Sequence, residues 1–491
     1  MRLDALIDAA DLPATPEVTG SAAIDITAVV QDTRAVVAGA LFCCIRGSRV
    51  DGHDLAVDAV AAGAAAVLAE RRLELDPSVS QALVPDTRAA LGPVAAAFWG
   101  HPSRSLTVVG VTGTNGKTTV THLLGAIFTA AGQPAEVIGT LTGEPGDETA
   151  FGPRRPPTTP EATELQQRLA AVRDAGTPAV AMEVSSHGLA LRRVDGTWFA
   201  AAVFTNLSQD HLDLHGSMEA YFAAKARLFE PAFTDLAVVN LDDPHGRLLQ
   251  DAATVGTIGY TLDEVDRLEL SPTGSRFVWR GQGVQLALAG RFNVSNAVAA
   301  ATVAAELGIP EPAIAAGLAA AGPVRGRFEA VDAGQPFGVV VDYAHTPDGL
   351  AQLLASAREL VPPGGRLLVV FGCGGDRDPG KRPRMGEVAA RLADRVVVTS
   401  DNPRSEDLDA IIEEILRGIA DRSRVSVDPD RRAAIALAIT GARPGDLVLL
   451  AGKGHETTQT FADRVVPFDD RQVATDTLLA AGFGDHEDGT P

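Results

Sequence analysis

The sequence predicts an α/β protein of three domains. Its 491 residues exceed what one hydrophobic core holds. Short apolar runs of the kind that form buried strands alternate with helical stretches along most of the chain. Near residue 113 a glycine-rich loop joins one such run to a helix, the layout of a parallel-sheet crossover.

The elements follow in order. Residues 1–103 alternate short strands at 25–30, 40–45 and 65–69 with a helix near 55–62, which fits a small α/β domain. His101-Pro102-Ser103 breaks the helix that ends near Trp99 and marks a linker. Over 104–322, strands at 106–109, 180–184, 201–204 and 236–240 alternate with helices, the rhythm of a parallel sheet. A different texture interrupts at 268–288. There Arg276-Phe277-Val278-Trp279-Arg280 alternates and Gly281-Gln282-Gly283 reads as a turn, predicting an added antiparallel hairpin. From 323 to 491 a Rossmann-like rhythm begins, with strands at 339–341, 367–371, 396–399 and 447–450, and the polar residues 482–491 are expected to fray.

Composition narrows the function. Asp and Glu number 63 against 42 Lys and Arg, a net charge of -21 that repels nucleic acid and anionic membranes and favours a small-molecule ligand held in local positive pockets. Cys43, Cys44 and Cys373 have neither bridge nor metal-ligand spacing, as in a reducing compartment. Acids at positions 4 and 8 interrupt any secretory core, and the Ala-rich run at 56–68 is too broken to span a bilayer. A cytoplasmic soluble protein is the expectation.

The loop Gly113-Thr114-Asn115-Gly116-Lys117-Thr118-Thr119 has the parts of a phosphate cradle and predicts ATP binding. Glycines admit backbone N–H groups to a polyanion, the helix start adds its dipole, Lys117 reaches the outer phosphates and the Thr118 hydroxyl can face Mg2+. One departure is Val111, where the common pattern has glycine. Glu183 and His211 fall at predicted strand ends from which both could reach magnesium. A hard cation prefers carboxylate, so His211 reads equally as a hydrogen-bonded core histidine. Lys225 alone reads as a surface lysine on an amphipathic helix. In the last domain four strand ends carry Asp342-Tyr343-Ala344-His345, Gly374-Gly375-Asp376-Arg377, Asp401-Asn402-Pro403-Arg404 and Gly452-Lys453-Gly454-His455-Glu456, which argues for a second working site.

Together with Glu183-Val184-Ser185-Ser186-His187-Gly188, Thr205-Asn206-Leu207, Asp210-His211-Leu212-Asp213, Asn293, Asn296 and Arg325-Gly326-Arg327-Phe328-Glu329, these motifs resemble the Mur ligases, ATP-dependent amide-bond-forming enzymes that build the peptide of bacterial peptidoglycan. The match runs through all three domains in order, and its nearest form is the branch that adds the third residue. The resemblance implies a uridine-nucleotide domain at 1–103, an ATP-binding P-loop domain at 104–322 and an amino-acid domain at 323–491. It implies that UDP-N-acetylmuramoyl-L-alanyl-D-glutamate is phosphorylated by ATP and then joined to meso-2,6-diaminopimelate. A monomer is expected.

The resemblance also implies residue roles. Lys117 would hold the β and γ phosphates, Thr118 and Glu183 one magnesium, and His211 a second. Lys225 would be carbamylated, offering the metal an anionic oxygen. Asn293 and Asn296 would lie near adenine, Asp342 near the ribose, and Arg327 would reach the phosphates from the third domain. Thr33, Ser48, Arg49 and Val50 would contact the uridine nucleotide, and Thr158, Thr159, Ser185 and Arg193 the muramoyl peptide. Leu191 stands where some relatives carry glutamine, so one sugar contact is altered. Arg377, Asp401, Asn402, Pro403, Arg404, Gly452 and Glu456 would bind diaminopimelate, Arg404 gripping its distal carboxylate. Two alternatives stay open: a folylpolyglutamate-synthetase type of ligase, which lacks the Asp-Asn-Pro-Arg loop and the uridine domain, and a P-loop ATPase that uses nucleotide only as a switch.

Overall fold

The computed structural model describes residues 1–12, 14–47, 50–140 and 157–484. Three sheets of five or six strands succeed one another along the chain. In the first, strands Ala28–Val30, Ala40–Cys43, Ala64–Ala69 and Ser80–Leu83 run parallel and Glu17–Thr19 closes the edge antiparallel to Ser80–Leu83. The expected strand from 25 begins only at Ala28, and the expected helix from 55 opens as a 3-10 turn, Gly52–Leu55, that becomes α-helical at Ala56–Ala61. Asp51 caps that turn by accepting the His53 N–H at 3.0 Å.

The central sheet is wholly parallel, in the order Gly256–Tyr260, Leu236–Asn240, Ala201–Phe204, Thr107–Thr112, Ala179–Glu183, Ala135–Ile138. Its two edge strands escaped the sequence reading because their burial is partial and their texture mixed, as in Gly256–Tyr260. The strand Thr107–Thr112 lies in the middle, flanked by strands that come later in the chain, so the loop after it opens at a switch point of the sheet. Helix Lys117–Ala130 packs one face of that sheet together with Arg291–Glu306 and Glu311–Ala320, burying Leu123, Leu124, Ile127, Val298 and Leu318.

The predicted hairpin is a three-stranded antiparallel meander, Val265–Ser271, Gly274–Trp279 and Gln282–Leu286. Gln282 and Gly283 belong to the third strand and not to the turn. The turn is Arg280-Gly281, both left-handed at φ 44 and 78, a two-residue connection whose twist matches the flanking strands. The third sheet runs Glu329–Ala330, Gly338–Asp342, Leu447–Ala451, Leu367–Phe371, Arg395–Val398, Val425–Val427. All neighbours are parallel except the first pair. The short edge strands at 329 and 425 went unread for want of an apolar run. Among the described residues no helix is long and apolar enough to cross a membrane.

Candidate active site

The loop after Thr107–Thr112 is shaped by two glycines. A Cβ on Gly113 (φ +149) would lie 1.9 Å from Thr205 Oγ1, and one on Gly116 (φ +88) 2.4 Å from Asn296 Oδ1. Both backbones are in conformations that L side chains avoid. The segment after Ala201–Phe204 fixes the loop from outside: Thr114 N–H donates to Asn206 O at 2.8 Å, and Asn115 N–H to Asn206 Oδ1 at 3.0 Å. Lys117 folds back over the loop and donates to Gly113 O (2.9 Å) and Thr114 O (2.8 Å). Burial lowers the proton affinity of its amine, with the Glu183 carboxylate pulling the other way.

Glu183, last residue of its strand, is a buried carboxylate with its acceptors in use. Its Oε2 takes the hydroxyls of Thr118 (3.1 Å) and Thr140 (3.2 Å), and Oε1 the Thr140 N–H (2.8 Å). Thr118, Glu183, Asp210 and His211 line one cavity of about 250 Å³ with Thr158 and Asn296. His211 sits in the left-handed region (φ 53), its ring edge-on to His187 at 4.7 Å and Nε2 3.5 Å from Asp210 Oδ2. The opposite wall comes from the third sheet. Arg327 Nη2 donates to Thr118 Oγ1 at 3.3 Å, its guanidinium lying 4.8 Å above the Tyr343 ring. Asp342 accepts the N–H groups of Phe328 and Ala344, both at 2.8 Å; burial raises its carboxyl above the usual range against the pull of Arg327. Asn293 stands behind the cavity, donating to Ala289 O at 2.9 Å and accepting from Asn296 Nδ2 at 3.3 Å.

Lys225 departs from the surface reading. It is 1 % exposed, on helix Met218–Ala226, with its ammonium nitrogen 4.7 Å from the Tyr221 ring and donating to Gly113 O at 2.7 Å. That carbonyl therefore takes both lysines, and Lys225 lies under the loop and not on the cavity wall. Burial, reinforced by the charge of Lys117, drives its amine well below its ordinary proton affinity. Thr159 donates to Glu183 O (3.1 Å) and accepts the Ser185 N–H (2.9 Å), while Arg193 donates to Thr159 O (3.1 Å) and pairs with Glu161 at 2.7 Å. Thr33 and Val50 lie on the first unit, away from this wall. Ser48 and Arg49 lie outside the described residues. Leu191 contributes its carbonyl to Arg88 of the first unit (3.4 Å).

The last loops close on one another. Arg404 and Asp376 are both left-handed, and Arg404 Nη1 donates to Gly375 O at 2.6 Å. Ser405 Oγ donates to Asp376 Oδ1 at 2.7 Å, so the segment bearing Arg377 and the segment bearing Pro403-Arg404 are tied together. Arg382, nearly buried, braces them from behind through Glu406, Glu414 and the Gly374 carbonyl. Asn402 Nδ2 donates to Glu456 Oε2 at 2.8 Å, tying the turn after Arg395–Val398 to the turn after Leu447–Ala451, two strands apart in the sheet. His345, on the cavity wall, feels the charges of both Asp210 and Asp401, though burial dominates its lowered proton affinity. Sequence reasoning had missed Thr140, Asp210, Tyr343, Arg382 and Lys453. Asp210, Tyr343 and Lys453 stood inside motifs already noted, whereas only tertiary contact singles out Thr140 and Arg382.

Family comparison adds to this geometry. The family models described as Mur ligase family, catalytic domain, Mur ligase middle domain, and Mur ligase, glutamate ligase domain match residues 25–99, 111–304 and 326–454. The chain belongs to the Mur ligase family. Members are ATP-dependent amide-bond-forming enzymes, and this chain is such a ligase. A Syntrophomonas wolfei relative named UDP-N-acetylmuramoyl-L-alanyl-D-glutamate–2,6-diaminopimelate ligase is 46% identical over 468 residues, covering 92% of this chain and 95% of its own. One of the same name from Streptomyces coelicolor is 46% identical over 477 residues, covering 92% of each. A solved structure of an enzyme so named superposes with TM-score 0.66 at 34% identity, over 93% of this chain and 95% of the other. At 21% identity, the Thermotoga maritima MurF ligase with ADP (TM-score 0.59, 92% and 96% covered) and the Mycobacterium tuberculosis folylpolyglutamate synthase (0.58, 80% and 94%) share the fold.

Proposed function

We propose that this ligase joins meso-2,6-diaminopimelate to UDP-N-acetylmuramoyl-L-alanyl-D-glutamate in peptidoglycan precursor synthesis, with ATP and Mg2+, as a cytoplasmic monomer. Residues 1–103 would take the UDP-sugar through Thr33, Ser48, Arg49 and Val50, 104–322 the ATP, and 323–491 the amino acid. Two Mur ligase relatives at 46% identity carry this substrate pair in their names. The observation that carries the reading is the bond from Arg327 to Thr118. It draws a cation of the third unit onto a loop built to hold phosphates, so the transferring group would be gripped between two units.

In this reading the glutamyl carboxylate attacks the γ-phosphorus, the bond to the bridging oxygen breaks, and ADP leaves. Lys117 and Arg327 neutralise the charge that builds on the transferring oxygens. Gly113, Thr114, Asn115, Gly116 and Thr119 cradle the phosphates, Asn293 and Asn296 flank the adenine, and Asp342 meets the ribose. Thr118 and Glu183 would hold one magnesium and His211 a second, whose charge would screen the phosphates during transfer, while a carbamate on Lys225 would have to reach them from beneath the loop, off the cavity wall. The touching hydroxyl and carboxylate of Thr118 and Glu183 supply the hard oxygens such an ion requires. The depressed proton affinity of Lys225 supports its modification, since the neutral amine is the form that adds to CO2, releasing a proton as the N–C bond forms. Thr158, Thr159, Ser185 and Arg193 would orient the peptide, so that the incoming amine attacks the acyl-phosphate carbon and phosphate departs.

Diaminopimelate would lie with Arg377 on the carboxylate beside the reacting amine, Arg404 on the distal carboxylate, and Glu456 with the Gly452 backbone on the distal ammonium. Asp401, Asn402 and Pro403 shape that end. The test is phosphate release from ATP against a panel of amino acids with the UDP-muramoyl dipeptide present. Release that needs both partners and prefers diaminopimelate supports the reading; release that ignores them overturns it.

A further inference from the structure

We propose that Lys453 is a positioning residue for the amino-acid site: it sets the orientation of Asn402 and the charge state of Glu456, and through them the affinity for the ammonium at the distal end of the substrate. This rests on the reading of that site as the one for a diamino dicarboxylic acid.

Lys453 is fully buried, an environment expensive for an ammonium unless every donor is used. Its three N–H bonds go to Thr458 O (2.7 Å), Glu456 Oε2 (3.1 Å) and Asn402 Oδ1 (3.3 Å), and Asp401 Oδ1 lies 3.7 Å away. Asn402 Oδ1 also accepts the Thr460 N–H at 3.0 Å, so its amide oxygen is held by two donors. The amide can then turn only one way, presenting Nδ2 to Glu456 Oε2 at 2.8 Å. Lys453 thereby links two strand ends, the Asp401-Asn402 turn after Arg395–Val398 and the Glu456 turn after Leu447–Ala451. Charge follows the same logic. The carboxylates of Asp401 and Glu456 against one ammonium leave a single negative charge, which matches a single ammonium on a substrate. Arg431 lies behind the cluster but is neutralised by its own partner, Asp470, at 2.6 Å, while it donates to Ser400 O and Ala451 O. Without Lys453 two like charges would share a partly buried turn with no cation between them.

The test is Lys453→Met in the full-length enzyme, a near-isosteric change that leaves both carboxylates partly open to water. KM for diaminopimelate should rise about tenfold to a hundredfold while KM for ATP and for the UDP-muramoyl dipeptide stays within about twofold. The acid limb of kcat/KM for diaminopimelate should move up by roughly one pH unit, a change that mere loosening of the fold would not cause. In the Lys453→Met, Glu456→Gln pair the two losses should not add, because one residue acts through the other. Additive losses, an unmoved pH limb, or equal losses for all three substrates would overturn the assignment. If the wild-type enzyme does not use diaminopimelate, the reading of the site fails instead, a result visible before any variant is made.

Discussion

Replacing Arg404 by alanine tests the proposed choice of amino acid most sharply. Diaminopimelate and lysine differ by one carboxylate at the far end of the side chain, so discrimination requires a cation held there in advance. The structure holds this one in advance: the Arg404 backbone N–H donates to Thr460 O at 3.1 Å and its guanidinium to Gly375 O at 2.6 Å. Much of the side-chain entropy of an arginine, about 1.5–2 kcal/mol, is therefore lost before substrate arrives and does not weaken binding. A charged hydrogen bond contributes roughly 1.5–3 kcal/mol, and losing a charge-paired contact costs about 2–5 kcal/mol. Arg404→Ala should thus reduce kcat/KM for diaminopimelate by roughly thirty- to several-thousandfold, with lysine, which has no carboxylate to lose, nearly unaffected. Arg404→Lys should fall between, because a point charge cannot grip a carboxylate with two parallel bonds. The assay is competition between the two amino acids, read by mass spectrometry of the UDP-linked product. Comparable lysine incorporation by the wild type, or undiminished diaminopimelate use by Arg404→Ala, would refute the reasoning.

Lys117→Ala should lower turnover by at least about a hundredfold while isothermal titration finds binding of the UDP-muramoyl dipeptide nearly intact, since the proposed uridine contacts belong to another unit; turnover near the wild-type rate would remove Lys117 from the mechanism. Lys225→Ala should be nearly inactive and recover in part with a short carboxylic acid such as acetate, which can take the place of a carbamate; an unmodified Lys225 in a fully active preparation, seen by intact mass, would contradict this. The His53 N–H bond, ahead of the His53 ring and Arg71, lowers the Asp51 carboxyl from 3.8 to about 2. Its stabilisation is then present above pH 4 and lost as pH falls toward 2, so the Tm gap between wild type and Asp51→Ala should close over that interval, and a constant gap would exclude the linkage.

The phosphate loop was legible because every residue that shapes it is contiguous and its flanks carry the periods of a strand and a helix. Strand interiors such as 367–371 were legible for the same reason, while the edge strands at 135, 256, 329 and 425 were not, because an edge needs no apolar run. The meander was read as a hairpin because Gly283, which sits inside a strand, looks like a turn residue. In the candidate site, motif order brought out Glu183, His211, Arg327 and Arg404 by resemblance, but not what holds them. Lys453 stood in a noted strand-end loop without a role and Arg382 in no motif, and only the fold shows both turned inward among acids. Lys225 gives no local sign that its amine ends beneath Gly113.

The central claim is that this chain couples ATP cleavage to one amide bond between a UDP-muramoyl dipeptide and diaminopimelate. The most direct measurement follows phosphate release and UDP-linked tripeptide together in a single reaction of the purified enzyme with ATP and Mg2+. The account predicts one phosphate per tripeptide, and only background release when either the dipeptide or the diaminopimelate is omitted. Phosphate released at the full rate without them, or consumed ATP with no tripeptide formed, would contradict it.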